Sequence, residues 1–363
     1  MRPSAEEQLA GVPRARNKIV SSAKKFLYWP RLNNLFPSTE PLEATACSHP
    51  ASRQTFLFVA HDYITGDRFE IVRCGACDLT VTTPIPQDWS KYYPAAYYGG
   101  SGGNRFPKPV ELLQDALYSS RAKKIEQLNG GRKGRVLDIG CGRGLLLKQF
   151  KNLGWEVQGT ELDDKSAAYP RDVLGLPVKT GELLEMNFPD QHFDAVIMWH
   201  VLEHVPAVPV LMAEISRILK PGGIYLVGVP NFGSVEARFA KEGWFHLDVP
   251  RHINHFTKNI LLKNLSDAGF VAKDFSYFAP EYDSFSFVQS TLNWFGLRHN
   301  LLYNFLRGQK AKVLGEKNSS PIQLILTLIL AAPLGVLSLF FTTLAGLMKQ
   351  GATITIFAEK KSR

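Results

Sequence analysis

From residue 135 onward, short apolar runs alternate with stretches whose apolar residues recur at helical spacing. Arg135–Leu137, Glu156–Gly159, Phe193–Trp199 and Ile224–Val229 read as strands. Leu145–Phe150 and the series Val210, Leu211, Ile215, Ile218, Leu219 read as helices between them. Lys220-Pro221-Gly222-Gly223 stops the second. Val271–Phe278 and residues 352–359 alternate like two further strands. A helix over Val110–Gln127 precedes the series. Alternating strands and helices predict an α/β domain, with its core over residues 91–278.

The flanks read differently. Residues 1–42 are polar, basic and broken by proline, which predicts a mobile arm with a short amphipathic helix over Lys18–Phe26. Residues 43–90 predict a small β-rich module: strands Thr55–Tyr63 and Arg68–Arg73 flank a hairpin turn at Thr65-Gly66-Asp67. Residues 279–350 form a helical insertion, and 351–363 the last strand and a tail. Within the insertion, 322–348 is almost continuously apolar and long enough to cross a bilayer as one helix. Pro333 and Gly335 divide it into arms of roughly 11 and 13 residues, each too short to cross. A helical hairpin dipping into one leaflet is the expected form; a true span and a soluble helical pair or dimer contact are the alternatives. Upstream, Phe285, Phe287, Leu292, Trp294, Phe295, Leu301, Leu302 and Phe305 interleave with Arg298, His299 and Arg307, as in an interfacial helix or a lid over a pocket.

The most informative chemistry lies in Val136-Leu-Asp-Ile-Gly-Cys-Gly-Arg-Gly144. A strand runs into Asp138 and then into Gly140, Gly142 and Gly144, just before a helix. Such a turn lets backbone approach a nucleotide-like ligand closely. The spacing is D-x-G-x-G-x-G. A dinucleotide fingerprint would need its third glycine at 145, which is Leu145, so a nicotinamide dehydrogenase is disfavoured. Glu161, ending the second strand, is placed to accept from two ribose hydroxyls.

Together with Phe193–Trp199, His200-Val-Leu-Glu-His204 and Lys220–Gly223, these residues resemble the class I S-adenosylmethionine-dependent methyltransferases. The likeness extends to the branch related to quinone-biosynthesis enzymes and to enzymes of cell-surface glycan loci. It covers roughly residues 110–275. The resemblance implies a Rossmann-like seven-stranded sheet with helices on both faces, closed by an antiparallel last strand. It also implies S-adenosylmethionine as cofactor, bound by Asp138, Gly140, Cys141, Gly142, Gly144, Glu161, Leu162, Glu182, Leu183, Trp199 and His200. For an oxygen acceptor a histidine base is useful. His200 and His204 are the first candidates. His246 and His252 follow, from the run Trp244-Phe-His-Leu-Asp-Val-Pro-Arg-His252, which the resemblance reads as an acceptor-binding loop and which otherwise reads as a polar helix-capping loop.

Cys74-Gly-Ala-Cys77 is half of a zinc knuckle, and Cys47-Ser-His49 supplies a second half with Pro50 where a cysteine would fall. The resemblance extends to N-terminal zinc ribbons of some methyltransferases. A structural zinc, a metal-free remnant and a redox pair are all open. Four cysteines in 363 residues argue against a disulfide framework and for a reducing cytoplasm, and no apolar run of signal-peptide length precedes Ala23. The net charge is +9, concentrated in residues 1–32 and 297–317. That distribution suits scattered surface lysine or attraction to anionic lipid; no nucleic-acid module is recognisable. The expected function is O-methylation of a lipid-linked, glycan or quinone-like acceptor at the cytoplasmic membrane face. The alternative is an inactive membrane-tethered assembly protein that keeps the fold. The sequence leaves the oligomeric state open.

Overall fold

The computed structural model describes residues 53–93, 108–307 and 321–362. Cys47 and His49 lie outside the described residues. Chain order begins with three antiparallel strands, β1 (Gln54–His61), β2 (Arg68–Cys74) and β3 (Thr80–Thr83). The two strands and the turn expected here are present. Beyond the expectation, β3 pairs with a two-residue strand from the core, β9 (Asn254–His255), so the sheet runs β1-β2-β3-β9.

The large sheet holds β4 (Arg135–Ile139), β5 (Glu156–Glu161), β6 (Val178–Thr180), β7 (Phe193–Trp199), β8 (Leu219–Pro230), β10 (Phe270–Ser276) and β11 (Thr353–Lys360). Its order is β10-β11-β8-β7-β4-β5-β6. β4 to β8 are parallel; β11 runs antiparallel between β8 and β10. This is the Rossmann-like sheet with the closing strand that the sequence implied. Its central strands are apolar on both faces because helices cover both. α1 (Lys108–Leu128) and α2 (Leu145–Asn152) meet Val136, Ala195 and Ile197 on one side. α4 (Val208–Ile218) and α6 (Lys258–Asp267) meet Leu137, Val196 and Met198 on the other. Two short helices, α3 (Asp164–Ala168) and α5 (Val235–Ala240), follow β5 and β8.

The last helices carry one correction. α7 (Pro280–Trp294) and α8 (Leu301–Leu306) are separate. The expected hairpin over 322–348 is instead one continuous helix, α9 (Pro321–Leu347), with Pro333 inside it. Proline removes one backbone donor, but Leu and Ala on either side are strong helix formers and no polar turn residues stand between the arms. A single stripe of α9 is buried: Thr327, Leu334, Ser338, Thr342 and Ala345. That stripe lies on α7 and α8, where Phe341 stacks on Phe287 at 4.2 Å and Leu334 joins Val288, Leu292 and Leu302. The rest of the helix surface is apolar and exposed, up to 73% at Val336 and 72% at Phe340. α7 has the reverse polarity, burying Asp283, Ser286, Gln289 and Ser290 towards the core.

The strand module and the core share a buried clamp. The Arg251 guanidinium, fully buried, donates to Asp62 at 2.7 Å, to Asp248 and to the Tyr92 carbonyl at 3.0 Å. Its face lies 4.7 Å from the Tyr63 ring. Thr82 adds Oγ1–H to the His252 carbonyl at 2.7 Å. An uncompensated buried charge would be costly, so this set of partners holds the two parts as one.

Candidate active site

At the carboxyl end of β4 the chain turns through Gly140, Gly142 and Gly144, all with positive φ. A Cβ at Gly140 would strike Val201, and one at Gly144 would strike Leu176 and Pro170. A Cβ at Gly142 would meet nothing, so open space lies over the middle of the turn. The Gly142 amide donates to Glu161 Oε1. Burial pushes the Glu161 carboxyl up to about 7, against the amide donors of Gly142 and Leu162. Asp138, on β4, is raised well above the usual carboxylate range by burial and then by Glu161. An open cradle with two carboxylates, one on a glycine amide, fits the amino and ribose groups of S-adenosylmethionine. The Cys141 side chain packs on the sheet, where a Cβ at Gly159 would stand 2.9 Å from its sulfur, and its backbone remains part of the turn. Glu182 and Leu183 follow β6, next to β5, with Leu183 buried and Leu162 half exposed. These residues gather along one edge of the sheet, where open α/β folds bind ligands.

β7 delivers the chemistry. Its last residue, Trp199, lies under the Arg121 guanidinium at 4.0 Å, and its indole lies beside Tyr282. His200 follows at φ +53, a left-handed conformation uncommon for residues other than glycine. Its Nδ1 stands 3.3 Å from Glu203 Oε1. Its Nε2 is buried and unpartnered. Burial, then Arg121, lowers its pKa to about 3, so the resting ring is neutral. Glu203 is 1% exposed and raised by burial against the pull of His252 and His204. Tyr282 of α7 lies 4.6 Å from the His200 ring, and His246 stacks on it at 5.8 Å.

All four candidate histidines are brought together, in two layers. His204 and His252 meet edge to face at 4.6 Å. Nδ1 of His204 donates to the Arg251 carbonyl at 2.8 Å, and Nδ1 of His252 to the His246 carbonyl at 2.7 Å. Such donation fixes the tautomer that leaves Nε2 as the basic nitrogen. Glu203, His204 and His252 each offer a ligand atom within 4.8 Å of the others, a set able to hold a divalent metal. Burial lowers His246 to about 3 and His204 to about 4. The Trp244–His252 loop is thus both wall and clamp: its histidines face the site, while Asp248 and Arg251 tie it to β1.

Sequence reasoning left several groups without a role. Glu203 carried a signal, three residues after His200 on a turn. Arg121, Tyr282, Glu281 and Glu236 carried none, since they arrive from α1, α7 and α5. Arg121 pairs with Glu281 in the interior, side chains 9% and 1% exposed.

Residues 113–273 match a family model described as a methyltransferase domain. Ubiquinone biosynthesis O-methyltransferase of Bradyrhizobium sp. (strain ORS 278) is 30% identical over 130 residues, 34% of this chain and 51% of that protein. The protein of the same name from Paramagnetospirillum magneticum is 36% identical over 103 residues, 26% of this chain and 40% of that one. The chain spans about half the length of the curated relatives it matches. Among solved structures, a SAM-dependent methyltransferase from Archaeoglobus fulgidus is similar at 19% identity and TM-score 0.43, covering 68% of this chain and 94% of that one. With the D-x-G-x-G-x-G turn, Glu161 and the antiparallel closing strand, the match places residues 113–273 in the class I S-adenosylmethionine-dependent methyltransferase family.

Proposed function

We propose that this protein transfers the methyl group of S-adenosylmethionine to a hydroxyl of a lipid-linked, glycan or quinone-like acceptor at the cytoplasmic membrane face. The observation that carries the reading is the His200–Glu203 pair, set one residue past β7 beside the glycine turn. The bound sulfonium supplies the methyl group and the leaving group. The chain's share is to align the acceptor and exclude water. Glu203 orients Nδ1 of His200, and Nε2 is positioned to take the hydroxyl proton as general base. His204, His246 and His252 support that arrangement from behind.

The membrane half of the reading rests on α9. Its buried stripe runs along α7 and α8, and its exposed apolar flank suits a helix lying in a lipid surface rather than crossing it. Among the described residues it is the one helix long and apolar enough to cross a membrane. Both α8 before it and β11 after it belong to the same body. A structural zinc held by Cys47, His49, Cys74 and Cys77 belongs to the same proposal: Cys74 ends β2 buried, and Cys77 lies in the turn that follows. The test is incubation of the full chain with isotopically labelled S-adenosylmethionine and extracted membrane lipids. Labelled lipid by mass spectrometry supports the reading; no labelled product with active cofactor binding favours the inactive assembly protein.

A further inference from the structure

Pro321–Leu347, the whole of α9, contains no acid, base or histidine. Its chain neighbourhood is the opposite. Residues 284–358 hold Arg298, Arg307, Lys310, Lys312, Lys317 and Lys349 against one acid, Glu316. Five of the net positive charges that make up the chain's +9 therefore fall in this stretch. Lys317 and Lys349 bracket the uncharged helix in the sequence.

The fold widens this apolar face and adds bases at its edge. Among the described residues Ile325, Ile329, Val336 and Phe340 stand exposed on α9. Phe239 of α5 joins the helix to the end of α7: its ring lies edge-on to Phe341 at 6.3 Å and to Trp294 at 6.2 Å. Trp294 and Phe295 are themselves 59% and 55% exposed. Arg238 of α5 donates to Gln350, just past α9. Lys241 is exposed two residues before Gly243, where a Cβ would lie 3.5 Å from the Trp294 amide. Glu242, beside it, offsets one of these charges. Lys349 is exposed at the carboxyl end of α9.

We infer that the exposed face of α9, with Trp294 and Phe295 at its edge, docks on an anionic lipid leaflet, Lys241 and Lys349 meeting the headgroups. This rests on the membrane half of the proposed function and names its partner. An exposed apolar face of this extent marks an interaction surface. Aromatic side chains at its rim suit the depth of the headgroups. An uncharged helix edged by bases gains from acyl chains and from anionic headgroups at once. A second copy of the chain fits less well, because a symmetric contact sets the same bases against each other. α7 touches α9 through Phe287 and His200 through Tyr282. Docking thus holds the base within two helix diameters of the leaflet, roughly 20 Å.

The test is flotation of the full chain with two kinds of vesicle, phosphatidylcholine alone and phosphatidylcholine mixed with phosphatidylglycerol, at low and high salt. Binding to the mixed vesicles should be at least about tenfold tighter at low salt, and the difference should shrink at high salt as the charges are screened. Lys241 and Lys349 both have positive φ, which asparagine tolerates. The double variant Lys241→Asn, Lys349→Asn should weaken binding to the mixed vesicles about tenfold or more. It should leave binding to phosphatidylcholine and S-adenosylhomocysteine affinity unchanged, which also shows that the variant is folded. Equal, salt-insensitive binding to both vesicles by wild type would overturn the anionic partner and leave the membrane reading standing. Undiminished preference in the double variant would place the charge contact elsewhere and overturn the inference. Flotation with neither vesicle, with a dimer by light scattering that Val336→Lys dissociates, would give the face to a second copy and overturn the membrane reading too.

Discussion

Glu203 Oε1 stands 3.3 Å from Nδ1 of His200, and this contact decides which ring nitrogen is left for the acceptor. With Nδ1 turned to the carboxylate, Nε2 is the one available. Replacing His200 with Ala is expected to lower kcat about 100-fold or more, the usual contribution of a positioned base. Glu203→Gln should lower it less. Glu203→Gln should leave S-adenosylhomocysteine affinity by calorimetry unchanged. Full activity in His200→Ala, measured as label transfer to membrane lipids, would remove the histidine from the mechanism.

Gly142 tests the cofactor end. Its φ is +54 and a Cβ there would meet open space. Gly142→Val should place methyls where the cofactor lies and weaken S-adenosylhomocysteine binding at least tenfold. No protein atom is struck, so the structural cost is the local backbone strain of a β-branched residue at positive φ, and the helix and sheet signals of circular dichroism should persist. Unchanged affinity would move the cofactor away from this turn.

The Arg251 clamp predicts a stability effect far from any ligand. Arg251→Met strands Asp62 and Asp248 in the interior and should cost about 3–5 kcal/mol in urea unfolding. A midpoint equal to wild type would show that the strand module is not held this way.

Titration separates two limbs of opposite sign. His200, His246 and His255 are held near pKa 3 by burial, below the ordinary 6.5. Their contribution is present above pH 6.5 and is lost as pH falls towards 3. Glu236 is pushed up to about 7 from 4.5 by burial, so its contribution is present below pH 4.5 and is lost as pH rises through 7. Glu236→Gln removes only the second limb. It should therefore gain on the order of 3 kcal/mol over wild type at pH 8 and nothing near pH 4. A pH-independent difference in urea midpoints would contradict the assigned shift.

Val336 and Phe340 lie on the uncovered flank of α9. The pair of changes Val336→Lys and Phe340→Lys should stop the protein floating with vesicles of phosphatidylglycerol and phosphatidylethanolamine, with no loss in urea midpoint. Flotation equal to wild type would count against the in-plane helix.

What was legible in the sequence followed from short-range rules. Positive φ demands glycine at 140, 142 and 144, and period-two and period-3.6 patterns mark β4, β7 and α4. In the sequence Pro333 reads as a break in the apolar run, whereas the structure carries one helix through it. In a run of strong helix formers it forfeits one hydrogen bond and the helix continues. α7 was hidden for a subtler reason. Asp283, Ser286, Gln289 and Ser290 make a polar stripe at helical spacing, which ordinarily marks the solvent face, and here it turns inward on the site. Arg251 and Asp62 lie 189 residues apart, and no local pattern announces their pairing.

The closing strand has a consequence for how the protein is made. β11 lies inside the sheet, bonded to β8 and β10, yet it is the last described strand to leave the ribosome. Until it arrives, Ile354 and Ile356 cannot fill the core, and the edges of β8 and β10 stand open. α9 precedes it, so the greasiest part of the chain emerges while the domain is still unfinished. Synthesis therefore presents α9 to its surroundings before the sheet is complete, the stage at which an uncovered apolar helix is most prone to aggregate.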